Sequence, residues 1–166
     1  MLGIRLVRLI EAHSEALARG LTEQIRKSER MPEFRKIPAR DLRLAATELY
    51  RNLGEWLLNK TDADIARRFK AVAAQRVGQG IPLHEFVWAL MLTRDHLWHF
   101  LRQEAFADNI VELHAELELH QLLSQFFDRA IYYAMIGYEE VGQPLEGKSD
   151  LERARDLVVS IGLMSQ

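Results

Sequence analysis

Apolar positions recur every three or four residues along most of this chain, the period of amphipathic helices. The first stripe is Leu2, Leu6, Leu9, Ile10, His13, Leu17, Leu21 and Ile25. It predicts a helix over residues 2–30, with Gly20 as the place for a bend and His13 as a buried, hydrogen-bonded core residue. Met31-Pro32 and Ile37-Pro38 bracket a connector, because the residue before a proline avoids helical geometry. A second stripe, Leu42, Ala45, Ala46, Leu49, Leu53, Trp56 and Leu57, predicts a helix over residues 39–58. Thr61 or Asp62 is placed to cap a third helix. That helix carries Ile65, Phe69, Val72, Ala73 and Val77, and Gly78 stands where a C′ glycine would end it.

The fourth predicted helix starts near Pro82, a residue suited to a first helical turn, and runs to about residue 104. Leu83, Phe86, Val87, Trp88, Leu90, Met91, Leu92, Leu97, Trp98, Phe100 and Leu101 cover more than one of its faces. Such a helix belongs at the centre of a fold. The fifth starts at Asp108 or Asn109 and meets no breaker before Gly137. Its apolar face includes Leu119, Leu122, Leu123, Phe126, Phe127, Ala130, Ile131, Tyr133 and Ala134. Some 30 residues at ~1.5 Å each make a rod of about 45 Å, longer than a compact bundle needs, as in a dimer seam or an output rod. Residues 142–149, GQPLEGKS, read as a linker. Ser149-Asp150 then caps a short helix with Leu151, Ala154, Leu157, Val158 and Ile161 on one side. No segment alternates as a strand would. The expected fold is all-α: a five-helix up-and-down or globin-like bundle in residues 1–141, with a linker and C-terminal helix in 142–166.

Composition narrows the function classes. The chain has 166 residues, 48% of them hydrophobic, enough for one domain with a core. A formal net charge of −2 argues against a nucleic-acid partner, which calls for a basic excess. There is no cysteine, so disulfides and thiolate chemistry are excluded. No apolar run is long enough to span a membrane, and Arg5, Arg8 and Glu11 interrupt the N-terminus where a signal peptide would be apolar. The expected location is the cytoplasm. Charge is unevenly shared: residues 1–104 hold 18 Lys/Arg against 13 Asp/Glu, and residues 105–166 hold 4 against 11. Arg26, Lys27, Arg30, Arg35, Lys36, Arg40 and Arg43 cluster. They form either a docking surface for an acidic partner or, as the favoured reading, one of two complementary halves of a bundle.

Candidate chemistry is sparse. His96 and His99 stand at i and i+3, a spacing that can share a metal. The carboxylate–histidine pairs of a bundle dimetal site are missing, since Glu118 and His120 lie only two apart. No metal and no cofactor is expected. Haem would need an axial ligand in an apolar slot, with His13, His96 or His99 as the ligand and Phe86, Trp88 and Phe126 as walls. Nothing in the spacing demands it. No nucleophile motif or phosphate loop is present, and Gly78-Gln79-Gly80 reads as a helix stop and turn. No catalytic residue is assigned. Glu85, Arg94 and Asp95 read as a charge set within or between helices. The best candidate pocket is small and apolar, between the fourth and fifth helices, lined by Trp88, Leu92, His96, Phe126 and Tyr133.

One stretch says more. In residues 76–101, Arg76 is followed by Gly80, then Pro82-Leu83-His84-Glu85, then Leu90, Leu92, Arg94, Leu97, Trp98 and Leu101. This pattern resembles the N-terminal domain family of the RsbRD-type co-antagonist proteins of bacterial stress signalling. A looser likeness in helix order and spacing covers about residues 5–140. The motif residues are Arg76, Gly80, Pro82, Glu85 and Arg94. The resemblance implies a non-enzymatic input module at the N-terminus of a signalling protein. It implies downstream STAS, histidine-kinase or DNA-binding modules, and a globin-like homodimer without haem, as in the related RsbR sensory domains. The alternative is a globin-like sensor that binds haem or a small molecule.

Overall fold

The computed structural model describes residues 3–104 and 110–164, with side chains as far as residue 142. Six α-helices and two short helical turns carry these residues, and no strand occurs among them. The all-α expectation is met.

The predicted first helix is two: α1 (Gly3–Ala12) and α2 (Ser14–Lys27). The break falls at His13, not Gly20. The His13 N–H is shared between the carbonyls of Leu9 and Ile10, at 3.2 and 3.1 Å, and its Nδ1 lies 2.8 Å from the Leu9 oxygen. A side chain bonding the preceding turn competes with the helical ladder. His13 is exposed, so its place on the stripe marks a bend in the rod, not a core position. α3 (Ala39–Arg51) ends early for a similar reason. Asn52 Nδ2 donates to the Glu48 carbonyl at 2.8 Å, and the chain continues as a π-helical turn, Glu55–Asn59, closed by Lys60 N–H on the Glu55 carbonyl at 2.9 Å.

The connector between α2 and α3 is a packed element. A 3₁₀ turn, Phe34–Lys36, lets it bury Met31, Phe34 and Ile37. α4 (Asp62–Gly78) starts with a capping box. Thr61 Oγ accepts from the Asp64 N–H at 3.2 Å, and Asp64 accepts from the Thr61 N–H at 2.9 Å. These bonds, the backbone one foremost, hold the Asp64 carboxyl below its usual range.

α5 (Leu83–Glu104) packs against α2, α4 and α6, as its wide apolar surface predicted. α6 (Ile110–Met164) is the long element; the expected start at Asp108 or Asn109 lies outside the described residues. Its 55 residues make a rod of about 80 Å. Gly137 does not break it. A Cβ there would sit 2.7 Å from Ala73 Cβ and 3.0 Å from Lys70 Cα, so glycine lets α6 cross α4 at close range. The backbone also stays helical through residues 142–149, expected as a linker. Glycine and proline lower helix stability without forbidding the conformation.

The core runs through all six helices. Its aromatic centre joins three segments: Trp56 lies 6.3 Å from Phe69 and 6.0 Å from Phe126, with Phe69 and Phe126 5.8 Å apart. Rings at these separations and tilts add to plain area burial.

Candidate functional site

The turn between α4 and α5 is fixed by several hydrogen bonds and a left-handed glycine. α4 ends in a Schellman motif. The Ile81 N–H reaches the Arg76 carbonyl at 3.0 Å, and the Gly80 N–H reaches that of Val77 at 3.0 Å. Gly80 holds φ +74°, left-handed geometry that disfavours a Cβ. The glycine stop is therefore Gly80; Gly78 is still helical. Pro82 supplies the carbonyl that accepts the first N–H groups of α5, from Glu85 and Phe86, at 3.1 and 3.2 Å.

Glu85 then points into the protein, 1% exposed. Its carboxylate accepts from the Phe34 N–H at 2.8 Å and the Glu33 N–H at 3.3 Å. A buried carboxylate is tolerable only when donors surround it, and here the donors are the free N–H groups that open the 3₁₀ turn. Arg76 sits alongside, 7% exposed, with its guanidinium 5.1 Å from the Phe34 ring centre. Its Nη1 donates to Gln79 Oε1 at 2.8 Å, while Nε has no partner. Burial lowers the Arg76 pKa, with the Tyr138 and Asp41 charges opposing. From α6, the Tyr138 hydroxyl donates to the Ile81 carbonyl at 2.9 Å and its ring stacks on Phe86 at 6.0 Å. Burial raises the Tyr138 pKa to about 12. The junction thus ties the α2–α3 connector, the α4–α5 turn and α6 into one knot. Arg94, the remaining motif residue, lies apart, half-buried and paired with neighbouring Asp95 at 3.3 Å. Glu85 and Arg94 do not form the charge set expected of them.

The candidate pocket does not assemble as expected. Trp88, Leu92 and His96 share one α5 face and border an open groove beside the end of α2. Arg30 lies over the Trp88 ring at 4.6 Å. Phe126 is committed to the aromatic centre. Tyr133 bonds Asp62 on α4, a contact that raises the tyrosine pKa. The two halves of the expected pocket have different neighbours, because α5 is apolar on more than one face and those faces serve different elements. His96 is half-buried; a Cβ on Gly20 would come within 3.0 Å of its ring, so Gly20 serves close packing. Burial lowers the His96 pKa, a backbone contact at Leu17 opposes this, and His99 adds to it. The groove also carries Gln24, Lys27, Glu29, Asp95 and His99, a polar lining unlike the apolar slot haem needs. Among the described residues, no group of three or more His, Asp or Glu side chains is placed to hold a metal.

The family model described as the RsbT co-antagonist protein rsbRD N-terminal domain matches residues 9–153. The chain belongs to this family. No curated protein and no solved structure matches it. An RsbRD N-terminal domain is a regulatory domain of stress-response signalling. Arg76, Gly80, Pro82 and Glu85 build the knot, and the partners that complete it are Phe34, Gln79 and Tyr138. The sequence hinted at Phe34 only through its place between two X-Pro pairs, and gave no hint of Tyr138.

The seven clustered cations of this RsbRD-type domain are all exposed. Across the two differently charged parts of the chain, Lys70 meets Glu140 at 3.0 Å and Arg129 meets Asp62 at 3.6 Å. Within the basic cluster, the ion pair is the local one from Lys36 to Glu33 at 2.9 Å. Among the described residues the cluster faces solvent, not the acidic part. No helix of the described chain is long and apolar enough to cross a membrane.

Proposed function

We propose that this domain is a non-enzymatic, cytoplasmic input module that works as a homodimer and relays its state along α6 to a downstream signalling partner. Residues 1–141 form the sensing bundle, and 142–166 are the start of the connection to the output. The observation that carries this reading is α6 itself. Its first turns leave Ile110, Leu113 and Leu117 exposed at 85%, 49% and 57%, spaced by three and four along one stripe. Val111 is exposed beside them, and Tyr132 and Met135 further along. Contiguous exposed apolar side chains mark interaction surfaces. A rod of about 80 Å outruns the bundle it packs on. Two copies related by a two-fold axis would each present this same stripe, covering it without a second kind of surface.

The family supports a signalling output: a STAS protein, a histidine-kinase transmitter or a DNA-binding regulator is the expected recipient. Sedimentation equilibrium across micromolar concentrations tests the reading. A reversible dimer is expected; a monomer throughout would remove the homodimer and with it the relay.

A further inference from the structure

Between α2, α3, α4 and α5 lies a cavity of about 110 Å³ that the described contacts do not fill. Its walls include Leu21, Ile25, Leu42, Ala46 and Phe69, and its lining also includes Arg76. The Arg68–Glu48 ion pair, 3.3 Å long and half-exposed, lines it too and marks the solvent side. Eight residues along α4 separate Arg68 from Arg76, about 12 Å of helix, so the cavity runs inward from a charged rim to a buried cation.

That cation is the anomaly. Arg76 is 93% buried by its 7% exposure, and no carboxylate of the described residues forms an ion pair with it. Its Nε–H is buried without an acceptor. Buried charges are normally paired, and native proteins leave few buried donors unsatisfied. An apolar cavity with a buried guanidinium in its wall that no carboxylate pairs matches a molecule with an apolar tail and a single anionic head. The planar fork of arginine suits a carboxylate in particular. An apolar cavity of ~150 Å³ takes up six-carbon benzene, so this smaller one holds a tail of about four to five carbons.

We propose that this cavity binds a short aliphatic carboxylate, its head group on the Arg76 guanidinium and its tail among Leu21, Leu42, Ala46 and Phe69. The proposal rests on the reading of the domain as an input module and names the chemistry of the input. Arg76 belongs to the knot at the α4–α5 turn, stacked on Phe34, which sits on the Glu85 carboxylate. Occupancy of the cavity therefore bears on the same contacts that fasten α6 through Tyr138 and Ile81.

The test is calorimetric titration of the full chain with hexanoate, with 1-hexanol as the uncharged match. Saturable binding of hexanoate is expected, and binding of 1-hexanol weaker by about tenfold or more. Arg76→Gln should weaken hexanoate by a similar factor. Ala46→Phe fills the cavity and should abolish binding while leaving the helical circular dichroism and a cooperative melt in place; it guards against failure of the arginine variant to fold. Arg68→Gln should bind as the parent does. The proposal is overturned by absence of saturation at millimolar hexanoate, by equal binding of 1-hexanol, by undiminished binding to Ala46→Phe, or by dependence on Arg68 instead of Arg76. Dimer mass measured on the same samples separates the two readings. A dimer that ignores hexanoate overturns only the ligand, and a monomer that binds it overturns the dimer and its relay but not the ligand.

Discussion

Replacing Glu85 isolates the contact on which the α4–α5 knot depends. In Glu85→Gln the side chain keeps its length and one acceptor oxygen. The second position becomes an amide NH₂, facing a backbone N–H of Glu33 or Phe34 that now lacks an acceptor. The 2.8 Å bond to Phe34 is the stronger of the two, and the amide will turn to keep it. What is lost is the 3.3 Å bond to Glu33 and the charge assistance of both. A hydrogen bond to a charged group contributes ~1.5–3 kcal/mol, and a stranded buried donor costs ~1–3 kcal/mol. Glu85→Gln should therefore destabilise the fold by about 2–3 kcal/mol. Glu85→Ala strands both donors and opens a void, for about 4–5 kcal/mol. For a domain of this size each kcal/mol lowers Tm by about 2–4 °C, giving a drop of roughly 4–12 °C for the glutamine variant. The assay is urea unfolding followed by circular dichroism, with thermal melts as a check. An unchanged m-value confirms that stability, not the unfolded state, has moved. If Glu85→Gln unfolds within ~0.5 kcal/mol of the parent, the range of an ordinary surface change, the carboxylate does not hold the connector and the account of the α4–α5 knot fails.

Three other substitutions probe separate links. Gly137→Ala should cost about 1–3 kcal/mol by overpacking, because the new methyl meets α4 backbone as well as Ala73; Ala73→Gly should restore part of this, and a neutral Gly137→Ala in urea unfolding would rule out the close crossing. Gly80→Ala should cost about 1–2 kcal/mol through its positive φ alone, since no atom lies within 4 Å of the added Cβ, whereas Gly78→Ala should be neutral or slightly stabilising. Burial lowers the His96 pKa from 6.5. The unfolded chain thus binds its proton first, and this contribution is complete above about pH 6.5 and lost as pH falls below it. Melts at pH 7.5 and 5.5 should show a smaller pH-dependent loss in His96→Gln than in the parent; equal losses would refute the assignment.

Much of the fold was legible because long apolar periods dominate it. The centrality of α5 followed from its many-sided apolar surface, and the Thr61 cap from its place before a stripe. The two unexpected helix breaks share a cause: they fall where one side chain decides between local bonds. His13 and Asn52 bond the carbonyl four residues back and split helices whose stripes run on unbroken. Gly20 and Gly137 read as bend and breaker, yet each marks a close approach to a distant segment, His96 and α4 respectively. Glycine says that space is tight or the backbone unusual, and sequence alone does not say which. The pocket failed for a different reason. Trp88 and Phe126 are both large and apolar, but which of several α5 faces looks toward α6 depends on a rotation that periodicity does not fix. The residues of the α4–α5 turn stood out as a pattern; the physical content of Glu85, a carboxylate spanning fifty-one residues to the Phe34 N–H, did not.

The most direct test of the signalling account is light scattering on the parent and on Leu113→Glu/Leu117→Glu. Both side chains are exposed on α6, so folding should survive, as circular dichroism will show. The account predicts twice the 19.3 kDa chain mass for the parent and a folded monomer for the double variant. A monomeric parent, or a double variant that remains a dimer, would contradict the assignment of this stripe as the seam through which the domain signals.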